Sequence, residues 1–209
     1  MEHLLDPAEQ PQDIPVRLTE QIAFIAEIDR LKTVLRLSPL LAADRRENDA
    51  EHSWHLAMMV LVLSEYANDP IDVGRTLKLV LTHDLVEIYA GDTNLFDEEG
   101  RKDKQAREQA AADRLFALLP DDQKQTFHSL WREFEEARTA EARFAQAMDR
   151  LQPLLLNFGN EGGTWRGHGV TESLIRRRTS HIANGSRRLW DFTEKLFALG
   201  VGRGWITRG

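Results

Sequence analysis

The sequence predicts an all-α protein, and three observations carry that prediction. Nearly every long segment repeats its apolar residues every three to four positions, the spacing that builds one face of a helix. No run shows the sustained two-residue alternation, bounded by hairpin turns, of a half-buried strand. Capping residues, glycines and prolines fall where the helical patterns start and stop.

Residues 1–16 read as a flexible arm, since MEHLLDPAEQPQDIP mixes acidic residues with three prolines. The rest, 17–209, reads as a single helical domain. Thr19 can cap a first helix whose apolar positions Ile22, Ile25, Ile28, Leu31 and Leu35 recur at helical spacing, ending before LSPLLAADRREN. A second helix runs from about Ala50 through EHSWHLAMMVLVLSEYAN and stops at NDP. Its middle is apolar nearly all round, which predicts a central position. Asp72 can cap the third, VGRTLKLVLTHDLVEIYA, with Gly91 supplying a left-handed turn at its end. A fourth covers 104–118, and LPDD separates it from a fifth carrying FHSLWREFEEA. Thr139 caps the sixth, AEARFAQAMDRLQPLLLNF, which Pro153 either kinks or ends. GNEGGTWRGHG reads as a loop, and Thr171 opens further helical pattern to about residue 199.

Length, charge and cysteine content narrow the function. A chain of 209 residues fits one domain with a sizeable core. With 34 acidic against 27 basic side chains, a net charge of -7, it lacks the footprint of a nucleic-acid or anionic-membrane binder. Cysteine is absent, which excludes disulfides, a thiolate nucleophile and zinc–thiolate sites, and suits a reducing cytoplasm. The N-terminus lacks the basic start and apolar run of a secretory signal, and no segment holds the roughly 18 uninterrupted apolar residues of a membrane span. The apolar breadth of the second and sixth helices, with several tryptophans, predicts a homodimer.

The chemistry concentrates in VLTHDLVEIYAGDT, residues 80–93, where His83, Asp84, Glu87 and Asp92 interrupt an apolar helical run. Carboxylates are seldom buried without a partner, because removing water from a charge is costly. A metal ion is one such partner. On a helix His83 and Glu87 are about 40° apart and share a side, while Asp84 is turned by roughly 100°. Two more ionisable groups sit in strongly apolar sequence: His52 in AEHSWHLAMMV and Asp149 in FAQAMDRLQPLLL. Two imidazoles and two carboxylates suit one octahedral first-row divalent ion (Mn, Co, Fe, Ni or Zn, with Mg also compatible) that keeps open positions for water or substrate.

The order His52, then the His83-Asp84 doublet, then Asp149, with Glu87 and Asp92 trailing the doublet, resembles the HD-domain superfamily of metal-dependent phosphohydrolases. RRENDAEHSWHLA and THDLVEIYAGDT are similar to the branch of bacterial deoxynucleoside 5'-monophosphatases and HD domain-containing protein 2. The similarity runs from about Arg30 to Asn157 and is most specific over 45–93. The resemblance implies an HD-type helical bundle with His52, His83, Asp84 and Asp149 as metal ligands. It likewise implies that Glu87 is the catalytic carboxylate, Asp92 its partner beside the attacking water, and Arg36, in RLKTVLRLSPL, the phosphate-binding arginine. The implied reaction is hydrolysis of a nucleoside 5'-monophosphate. Phosphatase relatives carry a tryptophan at or just after that arginine, near the sugar; here the position is Leu37, which bears on sugar and base selectivity.

Other residues have plainer readings. His55 and Glu51 read as outer-layer or surface groups, and Arg176-Arg177-Arg178 as a solvated helix face. His128, His168 and His181 lack partners in the pattern, while Trp54, Trp131, Trp165 and Trp190 read as core or interface. Two other reaction types compete, diester and triphosphate hydrolysis. The resemblance disfavours one diesterase branch, since no Gly-Tyr-Pro element accompanies the doublet, and a triphosphate site would need more basic groups. A noncatalytic metal-stabilised module is the rival from another class; it would need neither Glu87 nor Asp92.

Overall fold

The computed structural model describes residues 14–93, 97, 99–100, 102–167 and 169–209. Most of the arm expected at the N-terminus, and His168, lie outside the described residues. Helix α1 spans Val16–Ile28, so Thr19 sits inside its first turns and does not cap it; Pro15 occupies that position. Ile22 and Ile25 are exposed, and Phe24 and Leu31 carry the buried face instead. A 3-10 turn, Asp29–Thr33, follows α1.

Two short strands come next, where only helix and loop were expected. β1 (Leu35–Pro39) pairs antiparallel with β2 (Arg46–Asn48), Leu35 opposite Asn48 and Pro39 opposite Arg46, with an irregularity between. LRLSP alternates over only a few residues, with Leu35 exposed and Ser38 buried, and REN has no apolar residue, so strand periodicity did not mark them.

Helix α2 (Asp49–Leu63) buries one side, with Leu56 and Val60 fully buried, while Trp54, Leu61 and Val62 are exposed, so its all-round apolarity does not make it the central helix expected. Asp72 caps α3 (Val73–Thr82) by accepting from the Arg75 N–H. The helix then tightens into a 3-10 turn, His83–Val86, before α4 (Glu87–Ala90). Gly91 ends α4 with φ +76° and ψ 149°, an extended backbone at positive φ rather than the left-handed helical turn expected. That region is essentially reserved for glycine.

Helices α5 (Lys104–Phe116) and α6 (Asp121–Glu136) follow. Thr139 caps α7 (Ala140–Gly159), which continues past Pro153. The Gly-rich stretch contains a short helix, α8 (Gly163–Gly167), anchored by buried Trp165. Thr171 caps α9 (Glu172–Thr179); α10 (Ile182–Gly185) and α11 (Arg187–Gly202) complete the chain. Gly185 is required by packing, since a Cβ there would lie 2.3 Å from the Arg143 carbonyl oxygen on α7. No helix among the described residues is long and apolar enough to cross a membrane.

Two apolar clusters divide the interior. One joins α2, α3, α7 and the C-terminal helices; the other joins Phe24 and Leu31 to α5, Trp131 and Leu85-Val86. The His83–Val86 turn bridges them: Leu85 and Val86 pack into the second cluster, while the His83 ring lies 4.4 Å from Phe134 of the first. That seam holds the ionisable residues.

Candidate metal centre

Local structure fixes His52 first. The Asn48 side chain accepts from the Glu51 N–H at 3.0 Å, and the Glu51 carboxylate accepts from the Asn48 N–H at 3.1 Å. This reciprocal capping box sets the first turn of α2, so His52 enters the interior one residue later. Glu51 is therefore a helix cap, held also by Arg45 at 2.9 Å. The fully buried His52 lies with Nδ1 3.1 Å from Gln152 Oε1 and Nε2 3.0 Å from Asp149 Oδ1. An amide oxygen only accepts, so Nδ1 carries the proton and Nε2 offers its lone pair. Gln152 in turn donates to Glu47 Oε1 at 2.6 Å and lies 3.1 Å from His55 Nδ1, which puts His55 in the outer layer.

His83 repeats the pattern from the other side. Its Nδ1 donates to the Val80 carbonyl at 2.9 Å, and its buried Nε2 has no hydrogen-bond partner. That Nε2 lies 3.0 Å from Asp84 Oδ1 and 3.7 Å from Asp149 Oδ1. Asp84 Oδ2 is 3.8 Å from His52 Nε2, and Asp149 Oδ2 is 3.1 Å from Arg150 Nη1. The four side chains singled out in the sequence thus meet, although they come from α2, the 3-10 turn and α7.

Two lone pairs aimed at two carboxylates require a cation or added protons. Burial opposes charge on His83, but Asp84 and Asp149 outweigh it and push its pKa up to about 10. Burial and Arg36 also oppose charge on His52, whose pKa is nevertheless raised by Asp149 and Glu47. Burial favours neutral carboxyls, yet His83 and Arg36 draw Asp84 below its usual range, and Arg150 and His52 do the same for Asp149. A divalent cation fits the same electrostatic demand. One ligand atom each from His52, His83 and Asp149 lies within 4.8 Å of the others, and the partnerless His83 Nε2 is the kind of donor such an ion satisfies.

Glu87 does not share the His83 side as α-helical geometry predicts. It groups with Asp84 and Asp49, because three residues complete one turn of a 3-10 helix and bring positions 84 and 87 into line. Glu87 is buried and its Oε2 lacks a partner. Burial first, then the Asp84 and Asp49 charges, push its pKa well above the carboxylate range. Asp92 lines the same space; burial raises its pKa against the opposing charge of Arg36. Arg36 reaches in from β1, its Nη1 2.9 Å from Asp84 Oδ2 and 3.1 Å from Asp49 Oδ1.

Asp49, Glu47, Gln152, Arg150 and Lys104 escaped the sequence reading. Asp49 is fully buried, and burial together with Asp84 raises its pKa to about 6. Only Glu47 and Asp49 stood close enough to His52 in RRENDAEH to hint at a role. The cluster opens into a cavity of about 510 Å³, with Lys104, Gln105, Glu108 and Glu135 among its lining residues.

The HD domain family model matches residues 28–190. The chain belongs to the HD domain family. Similarity to particular proteins agrees with this. The crystal structure of a predicted metal-dependent phosphohydrolase from Magnetospirillum magnetotacticum MS-1 is 50% identical, with a TM-score of 0.88, covering 92% of this chain and 98% of that one. The human (Homo sapiens) 5'-deoxynucleotidase HDDC2 is 29% identical over 135 residues, 64% of this HD domain chain and 65% of the human protein. Its zebrafish (Danio rerio) counterpart is 26% identical over 194 residues, 83% of this chain and 96% of that protein. The chain thus spans a little under two thirds of the human relative.

Proposed function

We propose that this HD domain is a metal-dependent phosphohydrolase that hydrolyses the phosphomonoester of nucleoside 5'-monophosphates, deoxynucleotides included. One observation carries the reading: two imidazole Nε2 atoms and two carboxylates converge, and three of these groups, His83, Asp84 and Asp149, line a cavity of about 510 Å³ together with the largely buried Arg36. That volume suits a small polar ligand. The names of the human and Magnetospirillum relatives support it.

His52, His83, Asp84 and Asp149 would hold the ion. A bound divalent cation supplies charge neutralisation for the phosphoryl oxygens and acidifies water from a pKa of 15.7 toward about 7. Arg36 orients the phosphate through its planar donor fork. Asp92, turned into the cavity by the positive-φ Gly91, accepts a hydrogen bond from the attacking water and aligns it. Glu87 holds a proton at a buried carboxyl and delivers it to the leaving 5'-alkoxide. Phosphoryl transfer needs little more than such positioning and charge neutralisation.

The proposal extends to a cytoplasmic homodimer paired through the outer face of α2, where Trp54, Met58, Leu61 and Val62 are exposed. Sedimentation would read its mass. The deciding test is a metal-reconstituted screen of phosphate release from ribo- and deoxyribonucleoside mono- and triphosphates, with a diester control. Release from monophosphates is expected. Silence with Mn²⁺, Co²⁺, Mg²⁺ and Zn²⁺ would move the assignment to a noncatalytic module, and preferential diester or triphosphate cleavage to the corresponding hydrolase.

A further inference from the structure

We propose that Arg150 is a second phosphate-binding residue, which together with Arg36 forms a two-arginine clamp at the candidate metal centre; this rests on the phosphohydrolase reading above. The two carboxylates of the cluster divide their oxygens alike. Asp84 turns Oδ1 to His83 (3.0 Å) and Oδ2 to Arg36 (2.9 Å). Asp149 turns Oδ1 to His52 (3.0 Å) and His83 (3.7 Å), and Oδ2 to Arg150 (3.1 Å). Each carboxylate therefore carries a guanidinium on the oxygen it does not present most closely to the imidazoles.

Both arginines also border the same opening. A smaller cavity of about 80 Å³ adjoins the main one, and Arg36, Asp92, Thr93 and Arg150 line both. Those four residues form the neck between the two spaces. The Arg150 face of α7 continues along the smaller one through Pro153, Leu154 and Asn157, three, four and seven residues on.

Charge balance explains why a second guanidinium is needed. A phosphomonoester dianion entering this space meets the carboxylates of Asp84, Asp92 and Asp149. Arg36 already faces two carboxylates, Asp49 and Asp84. Lys104 is held by Glu108 at 2.5 Å, and Arg132 lines only the main cavity, with its Nε directed to the His128 carbonyl at 3.4 Å. Among the described residues Arg150 forms one ion pair, with Asp149, and its side chain is 30% exposed. Its Nε donates to His181 Nε2 at 3.3 Å, which restrains the guanidinium. Nη2 has no hydrogen-bond partner among the described residues, so a fork edge remains for phosphate oxygens.

The test measures binding, so it does not depend on turnover. The full chain is reconstituted with Mn²⁺, its metal content is measured, and inorganic phosphate is titrated calorimetrically. R150Q is expected to weaken phosphate binding by roughly 10- to 100-fold at unchanged metal content, as loss of a charge-assisted contact would. The KM for a nucleoside 5'-monophosphate should rise in parallel. R150K keeps the charge without the planar fork and is expected to bind phosphate roughly 3- to 10-fold more weakly than wild type; it carries the test if R150Q fails to fold. Wild-type phosphate affinity in the folded variant overturns the clamp, as does a defect that saturating Mn²⁺ abolishes, since Arg150 would then act only through Asp149. If the metal-loaded wild type binds no phosphate, the phosphohydrolase reading falls too; if it binds and R150Q binds equally, only the clamp falls.

Discussion

Arg17 meets Asp122 across the α1–α6 seam through two hydrogen bonds of 2.7 and 2.8 Å, with side chains 53% and 66% exposed. Arg36 meets Asp84 and Asp49 at 2.9 and 3.1 Å, with none of the three side chains above 11% exposure. The exposed pair has the better geometry, two parallel bonds to one carboxylate. Water and salt screen it, and ordering two long side chains costs entropy, so such pairs contribute little. The buried group is less well satisfied: Arg36 Nε, Asp49 Oδ2 and Glu87 Oε2 have no partner. Native interiors rarely leave buried polar atoms unpaired. The surface pair is fully satisfied, whereas unused bonding capacity gathers around Arg36, Asp49 and Glu87 in the interior.

Breaking the buried side should have the largest effect. Asp84→Ala removes an inward carboxylate and one partner of Arg36, leaving a buried cation short of charge. It is expected to abolish both metal retention and phosphate release and to cost about 3 kcal/mol of stability. Metal analysis and urea unfolding check this; a variant that keeps its metal would remove Asp84 from the ligand set. Glu87→Gln sharpens the comparison, because it leaves His52, His83, Asp84 and Asp149 untouched. Turnover should fall roughly 10²- to 10⁴-fold with metal content near wild type. Preserved turnover would take Glu87 out of the mechanism.

Leu37→Trp acts beside the buried contact, on the residue after Arg36 that lines the smaller cavity. It is expected to shift the ratio of deoxyribo- to ribonucleotide kcat/KM by roughly 10-fold. An unchanged ratio would mean that Leu37 does not face the sugar.

Arg17→Ala breaks the exposed pair and should have the smallest effect. The hydrogen bonds and charge of Arg17 hold Asp122 down to about 2. A depressed carboxylate pKa stabilises the fold above the ordinary aspartate range, and that contribution is lost as pH falls through about 2. Thermal midpoints of variant and wild type should differ slightly near neutrality, converge in acid, and differ less in high salt. A large neutral-pH deficit would mean that the seam contributes far more than exposed pairs usually do.

Much of the framework could be read from the chain. Asp72, Thr139 and Thr171 cap the helices they were expected to open, because capping depends on residues two or three positions away. His52, His83, Asp84 and Asp149 were visible as a group because ionisable residues are rare in apolar helical sequence, and the fold does bring them together. The strands were not visible: REN has no apolar face to betray its pairing. The tightened turn at His83–Val86 was also hidden, since residues 80–90 fit one continuous α-helix until Leu85 and Val86 must reach the second apolar cluster.

The sequence alone determined which residue types are present and the helical phase of each, because both depend on near neighbours. Tertiary structure decided which groups became partners. Gln152 orients His52 from a hundred positions away, and Arg150 enters the site only because α7 packs against α2. It also decided that Glu87 sides with Asp84 rather than His83, since the pitch of that turn is set by what its apolar residues must reach. Charge obeys the same division: the carboxyl of Glu87 is ordinary as a residue type, and burial together with Asp84 and Asp49, which only the folded chain supplies, pushes its pKa well up.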